Sequence, residues 1–237
     1  MSTESTLRIV WVYPDLLSTY GDRGNMLILA SRARRHGITT QREEVRSDQP
    51  LPTSGDLYLI GGGEDGPQAL AATRMVADGA LARASERGAV IFAVCAGYQL
   101  LGHSFYAKGR RCAGLGLLDL TSDRGRVRAV GELVGEVDPE LGIDALTGFE
   151  NHGGRTQLGA GVRPLAQVRV GVGNDGYTEG AWHGRVLGTY AHGPALARNP
   201  QLADLLLGWA AGAPLLTPVD DTWPQRLRAE RLATARR

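Results

Sequence analysis

Through the first half of the chain, unbroken apolar runs alternate with stretches of helical period. Residues 7–13 (LRIVWVY) form a short β-rich run, followed by a polar turn over 14–23. Over 25–36, Met26, Leu27, Leu29, Ala30 and Ala33 recur at helical spacing, and Gly37 closes the pattern. A second apolar run, Leu57–Ile60, leads into Gly61, Gly62 and Gly63, and residues 67–86 are again helical, ending at Gly88. A third run, residues 89–94 (AVIFAV), precedes a helical pattern over 97–103. Strands without polar alternation, separated by helices, predict a parallel sheet covered on both faces. The second half is richer in β pattern: residues 114–120, 126–137, 162–171, 176–182 and 185–190 read as strands. Helices over 199–211 and 222–236 finish the chain. The expected fold is α/β, a single three-layer domain with a mostly parallel central sheet flanked by helices and a β-rich second half. That domain is expected over residues 5–212, with 213–237 as a C-terminal helical extension.

The 237 residues carry a net charge of +1 with basic and acidic side chains interspersed, which argues against a nucleic-acid surface. No apolar run reaches the roughly 18 residues of a membrane span, and the first residues lack the basic and apolar regions of a secretory signal. A cytoplasmic location is expected. Cys95 and Cys112 make neither a disulfide framework nor a zinc pattern, so no metal is expected. Among 26 Lys and Arg residues, Lys108 is the sole lysine, in Ala107-Lys108-Gly109. A phosphate loop needs Gly-Lys-Ser/Thr, so that kind of ATP site is absent. The 33 glycines are roughly twice ordinary usage, which implies tight turns or backbone held close to a ligand.

Cys95 stands out as a candidate nucleophile. It ends an apolar strand and precedes Ala96 and Gly97 at the start of a helical pattern, a sharp turn that presents a side chain at the sheet's carboxyl edge. A helix N-terminus favours thiolate, and the Ala96 N–H can face a developing oxyanion. A lone cysteine is as often a buried packing residue; Cys112, among arginines, reads as structural. Of five histidines, His192 also follows an apolar strand, where ligands gather in open parallel sheets. It can therefore serve Cys95 as a base, or be an ordinary turn histidine. The Gly61–Gly63 run can turn a second N–H toward an oxyanion, or merely end its strand. Phosphate binding there is disfavoured by Glu64 and Asp65.

These residues fall within longer motifs. Residues 93–102 (AVCAGYQLLG) resemble the nucleophile elbow of class I, triad-type glutamine amidotransferases. Residues 148–156 (GFENHGGRT) and 188–194 (GTYAHGP) resemble the paired motifs of the cobyric acid synthase-like branch. With residues 13–15 (YPD) and 18–25 (STYGDRGN), the set is similar to the GatD-type glutaminase subunits of lipid II isoglutaminyl synthases.

The resemblance implies that Cys95 attacks the carboxamide of L-glutamine and His192 transfers protons. Ala96 with Gly62 or Gly63 would form the oxyanion hole, and Arg128 would hold the α-carboxylate, with Arg124 and Arg126 as near alternatives. Related amidotransferases place a glutamate two residues after the histidine, where this chain has Pro194. Glu150 could supply the missing carboxylate, or a partner subunit could; the second is the expectation. His152 and Asn151 would shape the active-site loop or lie at a subunit interface. No cofactor is expected in this chain. ATP and magnesium are implied on a MurT-type, Mur-ligase-like synthetase partner, which would amidate D-glutamate of the lipid II stem peptide to D-isoglutamine. Amidation of a cobyrinic acid-type precursor and a DJ-1/PfpI-like cysteine hydrolase are the alternatives.

Overall fold

The apolar run at the start becomes strand β1 (Leu7–Val12). It is followed by helix α1 (Arg23–Arg35), strands β2 (Thr40–Val45) and β3 (Leu57–Ile60), helices α2 (Asp65–Asp78) and α3 (Ala80–Glu86), strand β4 (Val90–Val94) and helix α4 (Ala96–Leu100). This computed structural model describes residues 6–213, 216 and 218–235. Residues 1–5, where a leader would begin, and 236, the end of the expected last helix, lie outside the described residues.

The second half consists of β5 (Ser104–Ala107), β6 (Arg110–Ala113), β7 (Leu120–Val137), β8 (Ala145–Leu158), β9 (Ala166–Val170), β10 (Thr178–Glu179), β11 (Ala181–His183) and β12 (Val186–Thr189). Helices α5 (Ala195–Arg198), α6 (Pro200–Ala211) and α7 (Thr222–Ala235) complete it.

One sheet has the order β11-β12-β4-β3-β1-β2 and is parallel except for β11. Strands β3, β4 and β12 are buried at every residue, as strands covered on both faces must be. From β1 the chain crosses to β2 on one side; from β3 it crosses to β4 on the other. With right-handed crossovers, α1 lies on one face and α2 and α3 on the opposite one. The strand order therefore reverses between β1 and β3, the place where such sheets hold ligands beyond their carboxyl ends. Edge strand β2 (TQREEV) is polar except at Val45 and half charged, which blunts the open edge and hides it from any apolar pattern.

The β-rich half is a second, mainly antiparallel sheet of order β10-β9-β7-β5-β6, with β8 paired to β7. The β7–β8 ribbon dominates it, and its register breaks between Arg124 and Ala129.

Several sequence boundaries move for identifiable reasons. The helix expected over 67–86 is split by Gly79, which sits in the left-handed region at φ +65°. Residues 114–119 are not strand. The N–H groups of Leu115, Gly116, Leu117 and Leu118 bond the carbonyls of Leu100, Gly102 and Leu101 instead, satisfying the end of α4, which stops at Leu100. The strand expected over 176–182 breaks at Gly180 (φ +58°), which sends β10 to one sheet and β11 to the other. Helix α7 packs on α5, β7 and β8, and Asp221 just before it pairs with the buried Arg32 of α1 at 2.6 Å.

Candidate active site

Four loops leave the carboxyl ends of β1, β3, β4 and β12 side by side, so residues far apart in sequence meet at one edge. Cys95 follows β4 directly. Its backbone has φ +53° and ψ −107°, a conformation that costs a side-chain-bearing residue of order 1–3 kcal/mol. The fold holds it there: the Cys95 N–H donates to the Thr189 carbonyl at 2.8 Å, and its own carbonyl accepts the Gln99 N–H at 3.0 Å. Gly97 is required by the tightness of the turn, since a Cβ there would fall 2.7 Å from the carbonyl oxygens of both Gly61 and Ile60. Below the turn, Nε2 of Gln68 donates to the Ala96 carbonyl at 3.1 Å and to Oε1 of Gln99 at 2.8 Å. Gln99 passes the network to the Tyr190 hydroxyl at 3.0 Å. Satisfied buried amides of this kind fix the elbow's position.

His192 lies just past β12, with its backbone paired to Phe149 of β8 in both directions, at 2.8 and 3.1 Å. Its side chain is fully buried, and Nδ1 stands 3.6 Å from Oδ1 of Asp22. That is a charge contact, longer than a hydrogen bond. Oδ2 of Asp22 accepts the Gly62 N–H at 2.5 Å. A Cβ added at Gly62 would fall 3.0 Å from Cε1 of His192, 3.3 Å from Oδ2 of Asp22 and 3.5 Å from Cβ of Cys95. Cys95, His192 and Asp22 therefore close on a single glycine. Among the described residues, neither ring nitrogen of His192 nor Oδ1 of Asp22 has a hydrogen-bond partner. Open polar atoms gathered at one buried point mark a functional site. Burial opposes a charged imidazole, yet the Asp22 carboxylate and the Cys95 sulfur outweigh it and push His192 up to about 9.

Asp22 is a carboxylate of this chain that stands beside His192. The Glu150 carboxylate is engaged elsewhere: its oxygens accept the N–H groups of Val172 and Gly173 at 2.7 and 2.9 Å and face Nε2 of His152 at 3.3 Å. His152 stacks on Tyr190 with centroids 3.7 Å apart, and it forms part of the pocket wall. The expected oxyanion loop is also narrowed. The Gly62 N–H is committed to Asp22, whereas the Gly63 N–H has no acceptor among the described residues and Gly63 lines the pocket.

The pocket has a volume of about 110 Å³, with Cys95, His192, Ala96 and Gly63 at its base and Arg128 and Asn151 at its mouth. Arg128 comes from the register break of β7; its Nε donates to Oδ1 of Asn151 at 2.6 Å. Arg124 also reaches the pocket, and Arg126 is not among its lining residues. Sequence reasoning assigned no role to Asp22 or Tyr20, which both sit in the 18–25 run; their position past β1, on the same edge as Cys95, was the available signal. Lys108 stands at the β5–β6 turn with φ +51°. Among the described residues no group of three His, Cys, Asp or Glu side chains could hold a metal ion, and no helix is long and apolar enough to cross a membrane.

A nucleophile elbow on a mostly parallel sheet, with a histidine and a carboxylate beside it, is an arrangement shared by hydrolytic and amide-transferring enzymes. Residues 8–200 match the CobB/CobQ-like glutamine amidotransferase domain, and the chain belongs to that family: it is a glutamine amidotransferase. Within it, the chain is 35% identical over 206 residues to the lipid II isoglutaminyl synthase (glutamine-hydrolyzing) subunit GatD of Staphylococcus aureus, covering 85% of this chain and 83% of that protein. It is 34% identical over 203 residues to the subunit of the same name from Streptococcus pneumoniae, covering 83% and 77%. A solved glutamine amidotransferase shares the fold with a TM-score of 0.58 at 23% identity, over 85% of this chain and 98% of that one.

Proposed function

We propose that the chain is the glutaminase subunit of a lipid II isoglutaminyl synthase and that it works through a Cys-His thioester mechanism. The convergence of Cys95, His192 and Asp22 on Gly62 carries the catalytic part of this reading. The acceptor rests on likeness to GatD subunits over most of their length.

In the first step Sγ of Cys95 bonds to the carboxamide carbon of glutamine, its proton already resting on Nε2 of His192, the ring nitrogen turned away from Asp22. The N–H groups of Ala96 and Gly63 hold the oxyanion. The carbon–nitrogen bond then breaks, and the imidazolium gives its proton to the leaving nitrogen, which departs as ammonia. Water attacks the thioester while His192 takes its proton. Glutamate leaves as the carbon–sulfur bond breaks, and the proton taken from water stays on His192 beside the freed sulfur. Asp22 favours the imidazolium that both halves require, which agrees with the raised value of His192. The Arg128 guanidinium fork suits the α-carboxylate.

Ammonia cannot displace an unactivated carboxylate oxygen, so amidation needs ATP. With no phosphate loop, and its one lysine on a hairpin turn, this chain supplies ammonia while a MurT-type synthetase partner holds ATP and magnesium. The complex would amidate D-glutamate of the lipid II stem peptide to D-isoglutamine at the cytoplasmic side. Glutamine hydrolysis by the chain alone and co-purified with its synthetase, compared with Cys95→Ser, tests the proposal. Ammonia release lowered in Cys95→Ser by about a thousandfold or more is expected. No release from wild type in either state, or full activity in the variant, overturns it.

A further inference from the structure

Asn151 uses both ends of its carboxamide at the pocket mouth. Arginine has donors only, so Oδ1 must face Arg128, whose Nε donates to it at 2.6 Å. Nδ2 then donates to the phenolic oxygen of Tyr20 at 2.7 Å. The backbone carbonyl of Asn151 accepts Nη2 of Arg128 as well, at 3.2 Å. One residue thus holds the Nε–Nη2 edge of the guanidinium with two acceptors.

Tyr20 reaches this amide from the opposite wall, on the loop after β1 that carries Asp22. Its backbone is in the left-handed region at φ +58°, and its side chain is 46% exposed. A non-glycine residue in that region persists only where its surroundings hold it. The surroundings here are three: the Thr19 N–H on the Gly62 carbonyl at 3.1 Å, the amide of Asn151, and the imidazole of His192. The Tyr20 ring stands edge-on to His192, with centroids 5.1 Å apart and planes at 70°. The chain Arg128–Asn151–Tyr20–His192 therefore crosses the mouth from the ribbon to the sheet edge.

We infer that Tyr20 and Asn151 form a strap across the pocket that sets the guanidinium of Arg128 for the substrate's α-carboxylate and covers His192. Both are positioning residues and touch no reacting atom. The inference rests on the glutamine reading above and adds a specificity device to it: recognition of a free carboxylate and cover of the imidazole share one link. A substrate without that carboxylate gains nothing from the strap.

The test compares two thiol reagents on the full chain, with modification of Cys95 followed by mass spectrometry. One is the diazoketone analogue of glutamine, which carries the α-carboxylate; the other is iodoacetamide, which lacks it. In Asn151→Ala the analogue is expected to react about tenfold more slowly, the loss of a hydrogen bond to a charged group. Iodoacetamide should react as fast or faster, because the mouth is opened. Tyr20→Phe removes one oxygen and keeps the ring over His192, so the analogue should slow by about threefold. Equal slowing with both reagents shows a merely structural role and overturns the strap, as does an unchanged analogue rate in either variant. A wild type that iodoacetamide modifies and the analogue does not overturns the glutamine reading itself, a result distinct from the others.

Discussion

The carboxyl edge of the first sheet and the β7–β8 ribbon meet at one pocket and are built by opposite means. At the edge, β3, β4 and β12 are buried at every residue, and each chemical group sits within a few residues of a strand end. Cys95 is held in a strained conformation there, Gly97 leaves no room for a Cβ, and Gly62 is enclosed by three side chains. The ribbon by contrast breaks register beside the pocket and exposes Val127 and Val130 by 72% and 60%. Arg128 comes from that break. Bond-making groups need a tolerance well under an ångström, which packed strand ends provide. A group that binds a carboxylate without making bonds can be carried on an irregular ribbon and set locally, here by Asn151. The division predicts that variants at the edge alter turnover, while variants in the ribbon alter affinity.

The most severe break of that comparison removes the charge of Asp22. Asp22→Asn keeps an acceptor for the Gly62 N–H and withdraws the carboxylate from His192. Turnover should fall by about a hundredfold, the scale of a lost acid–base contribution, with little change in KM. The pH dependence follows from the sign of the shift. His192 is raised from 6.5 to about 9 in the folded protein. Its charged form therefore contributes stability that is complete below about pH 6.5 and is lost as pH rises through about 9. In the variant the alkaline limb of the rate profile should move to lower pH, and the gap in Tm from wild type should close above about pH 9. Turnover and alkaline limb both unchanged would show that Asp22 does not orient His192.

The same contrast explains what could be read from the sequence. The edge strands were legible because burial on both faces writes continuous apolar runs such as VIFAV, and a cysteine at the end of one is conspicuous. His192 was legible on the same ground. Asp22 was not, because a carboxylate in the polar turn before α1 has no periodicity to distinguish it, and its partner lies at the far end of the chain. Its identification needed the topology that places the ends of β1 and β12 on one edge. Strand β2 was hidden by its edge position and β8 by its glycines, which read as loop. The Gly62 N–H looked equivalent to that of Gly63 until the structure showed it already given to Asp22.

On the ribbon, Arg128→Lys keeps the positive charge and loses the fork that Asn151 holds at Nε and Nη2. KM for glutamine should rise about tenfold, with kcat within about twofold, since a point charge replaces a planar pair of donors. Steady-state kinetics on the complex separate the two constants. A fall in kcat at constant KM would place Arg128 with the catalytic edge and dissolve the distinction between the two regions.

The smallest effect is expected at the root of the ribbon, far from the chemistry. Arg228 of α7 is partly buried; its Nη1 donates to Oδ1 of Asn199 at 2.8 Å and to the Arg198 carbonyl at 3.2 Å, and Nη2 reaches the Ala145 carbonyl where β8 begins. Asn199 in turn holds both backbone groups of Thr147, at 2.9 and 2.7 Å. Helix α7 thus anchors the first residues of β8, while the pocket end of the ribbon stays held by Asn151. Arg228→Ala should cost about 1–2 kcal/mol, seen as a lower Tm. The KM for glutamine should rise by less than about twofold and kcat should not change. A rise in KM approaching that of Arg128→Lys would mean that the ribbon is set from its root, and that its mount at the pocket is as rigid as the sheet edge it faces.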